Sequence, residues 1–161
     1  MNGSIRTLNL KFCAQLCWLP LVITIFAGFL HNNALATTNE PSTAVLASNS
    51  EFYRAFRESD IPAMEKVWAT SSDVVVIHPG WPRLTGLADV MASWRMILQN
   101  PNSPKIRAVN TRVEFRDGLA FVTCDELVGG GVIRAMNIFK HKNGRWQMLF
   151  HGAASTVSSQ T

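Results

Sequence analysis

Residues 73–95 read DVVVIHPGWPRLTGLADVMASWR, and their pattern decides the fold. The stretch opens with Val74, Val75, Val76 and Ile77. A short β-branched run followed by Pro79-Gly80 reads as a buried strand. His78 stands at its end. Pro79, Gly80 and Pro82 impose an irregular turn that holds Trp81 between two prolines. Beyond Thr85-Gly86 the period changes. Leu87, Val90, Met91, Trp94 and Leu98 recur at spacings of three and four, which predicts a helix with one apolar face.

Upstream, two more helices are predicted. Ser48 or Ser50 can cap one that carries Phe52, Tyr53 and Phe56. Asp60 caps the next, with Pro62 tolerated in its first turn and Met64, Val67 and Trp68 as its apolar stripe. Such aromatic stripes read as core, because short helices persist by burying them. Downstream, Gln99 to Pro104 is a stop, and an antiparallel meander follows. Strands are predicted over Lys105–Arg116, Leu119–Leu127, Val132–Lys140 and Arg145 to about Ser155. Asp117-Gly118 and Asn143-Gly144 are two-residue hairpin signals, since both positions of each accept positive φ. Gly129-Gly130-Gly131 is a link and not a phosphate loop, because no Lys-Ser/Thr or helical pattern follows it. Helices before hairpin-linked strands give an α+β fold class.

Met1 to Lys11 carries Arg6 and Lys11 and no acid, and Phe12 to Leu30 is uncharged. Ala34-Leu35-Ala36 then offers small residues where a signal peptidase reads them. A secretory signal over 1–36, cut after Ala36, is expected, with periplasmic or secreted protein as the outcome. The alternative is an uncleaved membrane anchor, since the uncharged run is long enough to span a bilayer. Cleavage would leave a Ser/Thr/Asn/Pro-rich leader over 37–49 and one domain, and would lower the formal charge from +4 to +2. No run of basic residues supports nucleic-acid binding. Cys13 and Cys17 would leave with the signal, so Cys124 would have no intramolecular partner.

The strand ending in His-Pro, the Gly-Trp turn and the Leu-Thr-Gly link into a helix ending in Ser-Trp-Arg resemble the SnoaL-like branch of the nuclear-transport-factor-2-like superfamily. The resemblance extends from about Ser50 to Ser155 and defines an expected domain over 50–157. It implies a strongly curved antiparallel sheet wrapped around the N-terminal helices, a cone (cystatin-like α+β barrel) with a pocket inside. It implies little about activity, because the superfamily hosts isomerases, dehydratases, cyclases and proteins with no chemistry. Ketosteroid isomerase and scytalone dehydratase use Asp or His bases in such a cone. Their motifs do not align residue by residue with this chain.

His78, His151 and Asp125 are the candidate catalytic residues. Trp81, Trp94 and Asn137 are the candidate substrate-binding ones. A histidine titrates near neutral pH and suits proton transfer, but at a strand end it also serves to hydrogen-bond a backbone carbonyl. His151 and Asn137 are polar exceptions on apolar strand faces, where each needs a partner or a ligand. Asp125 and Glu126 point to opposite faces, so one alone can face a pocket. An acid held in an apolar pocket would have a raised pKa and could act as a base. Relatives often carry several histidines on the last strand. Here Gly152 and Ala153 follow His151, which argues against a multi-histidine metal site. No metal and no cofactor are expected. Apolar residues on both parities of the last strands predict a homodimer through the outer sheet face. The expected function is an exported pocket for a small, mostly apolar ligand. The alternative is a cofactor-independent isomerase, dehydratase or cyclase. The membrane enters through the signal segment alone.

Overall fold

A computed structural model describes residues 40–155. The expected signal over 1–36, residues 37–39 of the expected leader and residues 156–157 of the expected domain lie outside the described residues.

The first helix, α1 (Glu40–Glu58), begins well inside the stretch read as a leader. The correction has a packing cause. Val45, Asn49, Phe52, Tyr53 and Phe56 are all buried and lie on one helical face. That stripe extends the aromatic face by two turns, through residues too polar or too small to announce it. Next come α2 (Ile61–Val67), started by Asp60 with its Oδ1 accepting from Ala63 N at 3.0 Å, and α3 (Leu87–Gln99). Both match the expected periodicity. Trp94 is fully buried on α3, as its stripe predicts.

The strands are β1 (Val75–Ile77), β2 (Leu84–Thr85), β3 (Ile106–Arg116), β4 (Leu119–Val128), β5 (Gly131–Lys142) and β6 (Arg145–Ser155). They form one curved sheet of six strands in the order β2-β1-β6-β5-β4-β3. The meander is as expected, and both hairpins turn at positive φ, at Asp117-Gly118 and Asn143-Gly144. The short β2 was not legible. Its residues sit in the link read as a turn and pair antiparallel with β1. β1 itself pairs parallel with β6, which brings the quoted stretch against the chain's last strand.

The helices cover one face of the sheet. Phe52, Met64, Trp68 and Trp94 interlock there with Val76, Val122, Phe139 and Met148, all at 1% exposure or less. Burying one aromatic of this size removes roughly 150–250 Å² from water. This concave face is the fold's single apolar core among the described residues.

Candidate functional site

Strand pairing places the two histidines on the same face. Val76 of β1 is opposite His151 of β6, and Val76 points into the core. His78 lies two residues after Val76, so its side chain returns to that face. The imidazole centroids are 6.5 Å apart. His151 reaches the inside through a register shift. Phe139 pairs with Met148 while Ile138 pairs with Phe150, so Leu149 is the extra residue of a bulge. Strict alternation would put Met148 and His151 on opposite faces. The bulge turns both inward, and both are buried.

His78 and His151 are held by different partners. His78 Nε2 lies 2.9 Å from Ser93 Oγ, and Ser93 gives its one hydroxyl proton to the Val90 carbonyl at 2.8 Å. His78 is therefore the donor, with its proton on Nε2. His151 belongs to a longer chain. Tyr53 OH donates to Glu126 Oε1 at 2.7 Å, so its oxygen faces Asn137 Nδ2 as an acceptor, at 3.4 Å. Asn137 Nδ2 also donates to Asn49 Oδ1 at 2.7 Å. The amide oxygen of Asn137 is thereby turned to His151 Nδ1, 2.7 Å away. An amide oxygen only accepts, so Nδ1 carries the proton and Nε2 of neutral His151 keeps a lone pair.

Burial decides the charge state. It pushes His78 down to about 4. Burial, then the neighbouring His78, push His151 down to about 3. Both rings are neutral at neutral pH. Trp94 stacks edge-on to His78 at 4.6 Å and lies 5.7 Å from His151. Its indole N–H is buried with no hydrogen-bond partner among the described residues. Trp81, more than a third exposed, sets its ring edge over His78 at 5.2 Å. A bond from Trp81 N to the His78 carbonyl closes that turn at 3.0 Å. His78, His151, Trp81, Trp94 and Asn137 thus come together.

Asp125 does not join them. It sits on the opposite sheet face, where Asn110 Nδ2 donates to it at 2.8 Å and Arg134 lies 3.3 Å away. The inward carboxyl is Glu126, almost fully buried and pushed upward by burial. Strand alternation showed that one of the two had to face in, but not which one. Asn49, Tyr53 and Ser93 were not foreseen as site residues, because each sits at helical spacing among apolar residues and reads as filler. Cys124 is buried and lies 3.1 Å from Tyr53 OH; burial raises its pKa to about 11, so it is no nucleophile. No cluster of His, Cys, Asp and Glu suited to a metal exists among the described residues.

A groove of about 840 Å³ runs along the outer sheet face past Ile77, Arg112, Met136, Phe150 and Gly152. Phe150 lies so close over Gly152 that a Cβ there would stand 2.7 Å from its ring. Two smaller grooves flank α1, one of about 380 Å³ against β3 and one of about 500 Å³ against the β5–β6 hairpin.

Comparison with known proteins agrees with this architecture. The F-box protein SKIP8 of Arabidopsis thaliana is 28% identical over 110 residues, which are 67% of this chain and 48% of that protein. The chain thus spans about half the length of that curated relative. Among solved structures, an NTF2-like family protein of Streptomyces avermitilis, named as a candidate dehydratase, matches at a TM-score of 0.67 with 24% identity, covering 73% of this chain and 97% of that one. A ketosteroid isomerase-like protein of Erwinia carotovora atroseptica matches at 0.60 with 18% identity, covering 73% and 97%. These likenesses concern the fold. The model of the SnoaL-like domain matches residues 45–158, and the chain belongs to that family.

Proposed function

We propose that this domain binds a small, mostly apolar ligand against the His78–His151 cluster, beneath Trp81. The carrying observation is the buried polar chain itself. Asn49, His78, Glu126, Asn137 and His151 are all buried on a face that could have been filled with apolar side chains. Polar groups buried on such a face are tolerated when hydrogen-bonded, and here each is held by a neighbour. The bare Nε2 of His151 is the acceptor that a ligand hydroxyl would use.

Binding is favoured over proton transfer by the direction of the histidine shifts, since burial holds both rings neutral and weakens them as bases. A base whose pKa lies near 3 has little proton affinity at neutral pH. An acid–base reading keeps one supporting feature, the Asn137 amide that holds His151 in a single tautomer with its lone pair free. Opening the cluster to water would restore its basicity.

The test uses NMR on protein labelled with ¹⁵N at its histidine rings, titrated with phenol, indole and cyclohexanol. Hydroxyl ligands should shift the His151 Nε2 resonance and raise the melting temperature. His151→Ala should remove both responses, and Asp125→Ala should remove neither. A panel that leaves both imidazoles unmoved would falsify the reading.

Two further properties belong to the same proposal. The protein is exported after cleavage at Ala36, and intact mass of exported material beginning at Thr37 checks it. Retention of Met1 in a membrane fraction would contradict it. The outer groove, with Met136 exposed and Phe150 partly so, is covered by a second copy of the chain. Light scattering at micromolar concentration should then give a dimer mass, and a monomer mass would remove the idea.

A further inference from the structure

Among the described residues, no carboxylate forms an ion pair with the cations of the groove between α1 and β3. The groove encloses about 380 Å³ and is lined by Leu46, Asn49, Tyr53, Arg57, Arg107 and Ala108, among others, with no acidic residue in its wall. Arg57 and Arg107 are exposed. The carboxylates nearest in sequence to Arg57 are already engaged. Arg54 gathers Glu51, Glu58 and Asp60 onto the other flank of α1. Lys105 adds a third cation at the same end, since its Nζ donates to the Arg57 carbonyl at 2.7 Å. Across the sheet from Ala108 is Glu126, but its carboxyl is buried and accepts from Tyr53.

The floor of this groove is the outer end of the polar chain. Asn49 and Tyr53 line it, and both contact Asn137, which orients His151. A ligand group seated there would touch the two side chains that set the Asn137 amide. Arg57 and Arg107 line the groove as exposed cations, and Leu46 and Ala108 line it as apolar residues. Exposed cations, a polar floor and apolar lining in a groove of this volume fit a small organic acid. Arginine pairs with a carboxylate through parallel hydrogen bonds, and a concave, partly dry setting strengthens such pairs.

We propose that the α1–β3 groove is a subsite for a small organic carboxylate, held by Arg57 and Arg107 with its body against Tyr53 and Asn49. The subsite goes beyond the binding reading given above: it lies apart from the His78–His151 cluster and meets the same polar chain at its other end, through Asn49 and Tyr53. A bland role for Arg57 also exists. It lies in the last turn of α1, where a cation complements the helix dipole. That role would leave ligand preference untouched, so binding measurements separate the two.

The experiment compares benzoate and hexanoate with benzamide and hexanamide by isothermal titration at neutral pH and moderate salt, on the full chain. The acids should bind about tenfold or more tightly than the matching amides, and added salt should narrow the gap. Arg57→Gln and Arg107→Gln should each erase most of that preference, while Arg57→Lys should restore part of it. Both positions are exposed, so the variants should keep the near-ultraviolet circular dichroism of the parent. The His151 ring resonances should move on benzoate binding through Asn137, and Tyr53→Phe should reduce that movement. Equal binding of acids and amides, with His151 responding to both, would overturn the subsite and leave the pocket reading intact. Absence of binding by all four compounds would overturn the subsite, while the phenol, indole and cyclohexanol titration decides the pocket reading by itself. Inorganic phosphate binding as well as benzoate would overturn the assignment to organic acids.

Discussion

The two faces of the sheet carry the same kinds of side chain to opposite ends. On the inner face, Glu126, Asn137 and His151 are almost fully buried and bonded to one another through Tyr53. On the outer face, Asp125 meets Asn110 and a largely exposed Arg134. Adjacent residues on one strand, Asp125 and Glu126, therefore live in different solvents. Water screens the outer pair, which makes it worth little. The inner carboxyl has no cation beside it among the described residues. Its hydrogen bonds hold the network in one geometry, and losing any member leaves a buried group unpaired. The inner face is where substitutions should matter, and where a ligand would find groups already aimed.

The largest expected effect tests the wall behind the inner network. Trp94 contacts Phe52, Phe56, His78 and His151. Trp94→Ala should cost about 3–5 kcal/mol in urea denaturation. A loss below about 1 kcal/mol would mean that the inner face is not a packed one.

Next comes the network. Asn137→Leu keeps the branched shape but strands His151 Nδ1 and Asn49. At about 1–3 kcal/mol for each buried group left unpaired, the loss should be at least about 2 kcal/mol. A neutral outcome would mean that water or a rearranged Asn49 satisfies them.

Acid should act on the same face. The folded pKa values of His78 and His151, about 4 and about 3, lie below the ordinary 6.5. The unfolded chain therefore binds protons first as pH falls. The stability contributed by the neutral rings is complete above pH 6.5 and is lost on descending through that window. The slope approaches about 1.4 kcal/mol per pH unit for each histidine. Glu126 acts with the opposite sign, since its raised pKa favours the folded state at low pH and that contribution fades as pH rises. His151→Gln should flatten the profile between pH 6.5 and 4. An unchanged profile would put the acid sensitivity elsewhere.

The smallest effect belongs to the outer face. Asp125→Asn should change stability by less than about 1 kcal/mol, and less still in high salt. A loss matching that of Asn137→Leu would erase the contrast between the faces.

Periodicity alone determined the helix of Trp94, the β1 strand, the hairpins at Asp117-Gly118 and Asn143-Gly144, and the α+β class, because each is written in spacings of neighbours along the chain. The same local signals marked His78, His151 and Asn137 as polar groups needing an explanation. Three matters were left to the tertiary structure. The start of α1 depended on Val45 and Asn49 finding a sheet to cover. The choice between Asp125 and Glu126 depended on which face the helices occupy, and alternation is blind to that. The meeting of the histidines depended on a parallel pairing between β1 and β6 and on a bulge at Leu149. The parallel pairing joins residues more than seventy positions apart, and the bulge, within the β5–β6 hairpin, reverses the parity that the sequence displays. Local spacing encodes elements; which groups share a buried volume is decided by long-range register, and only the folded chain expresses it.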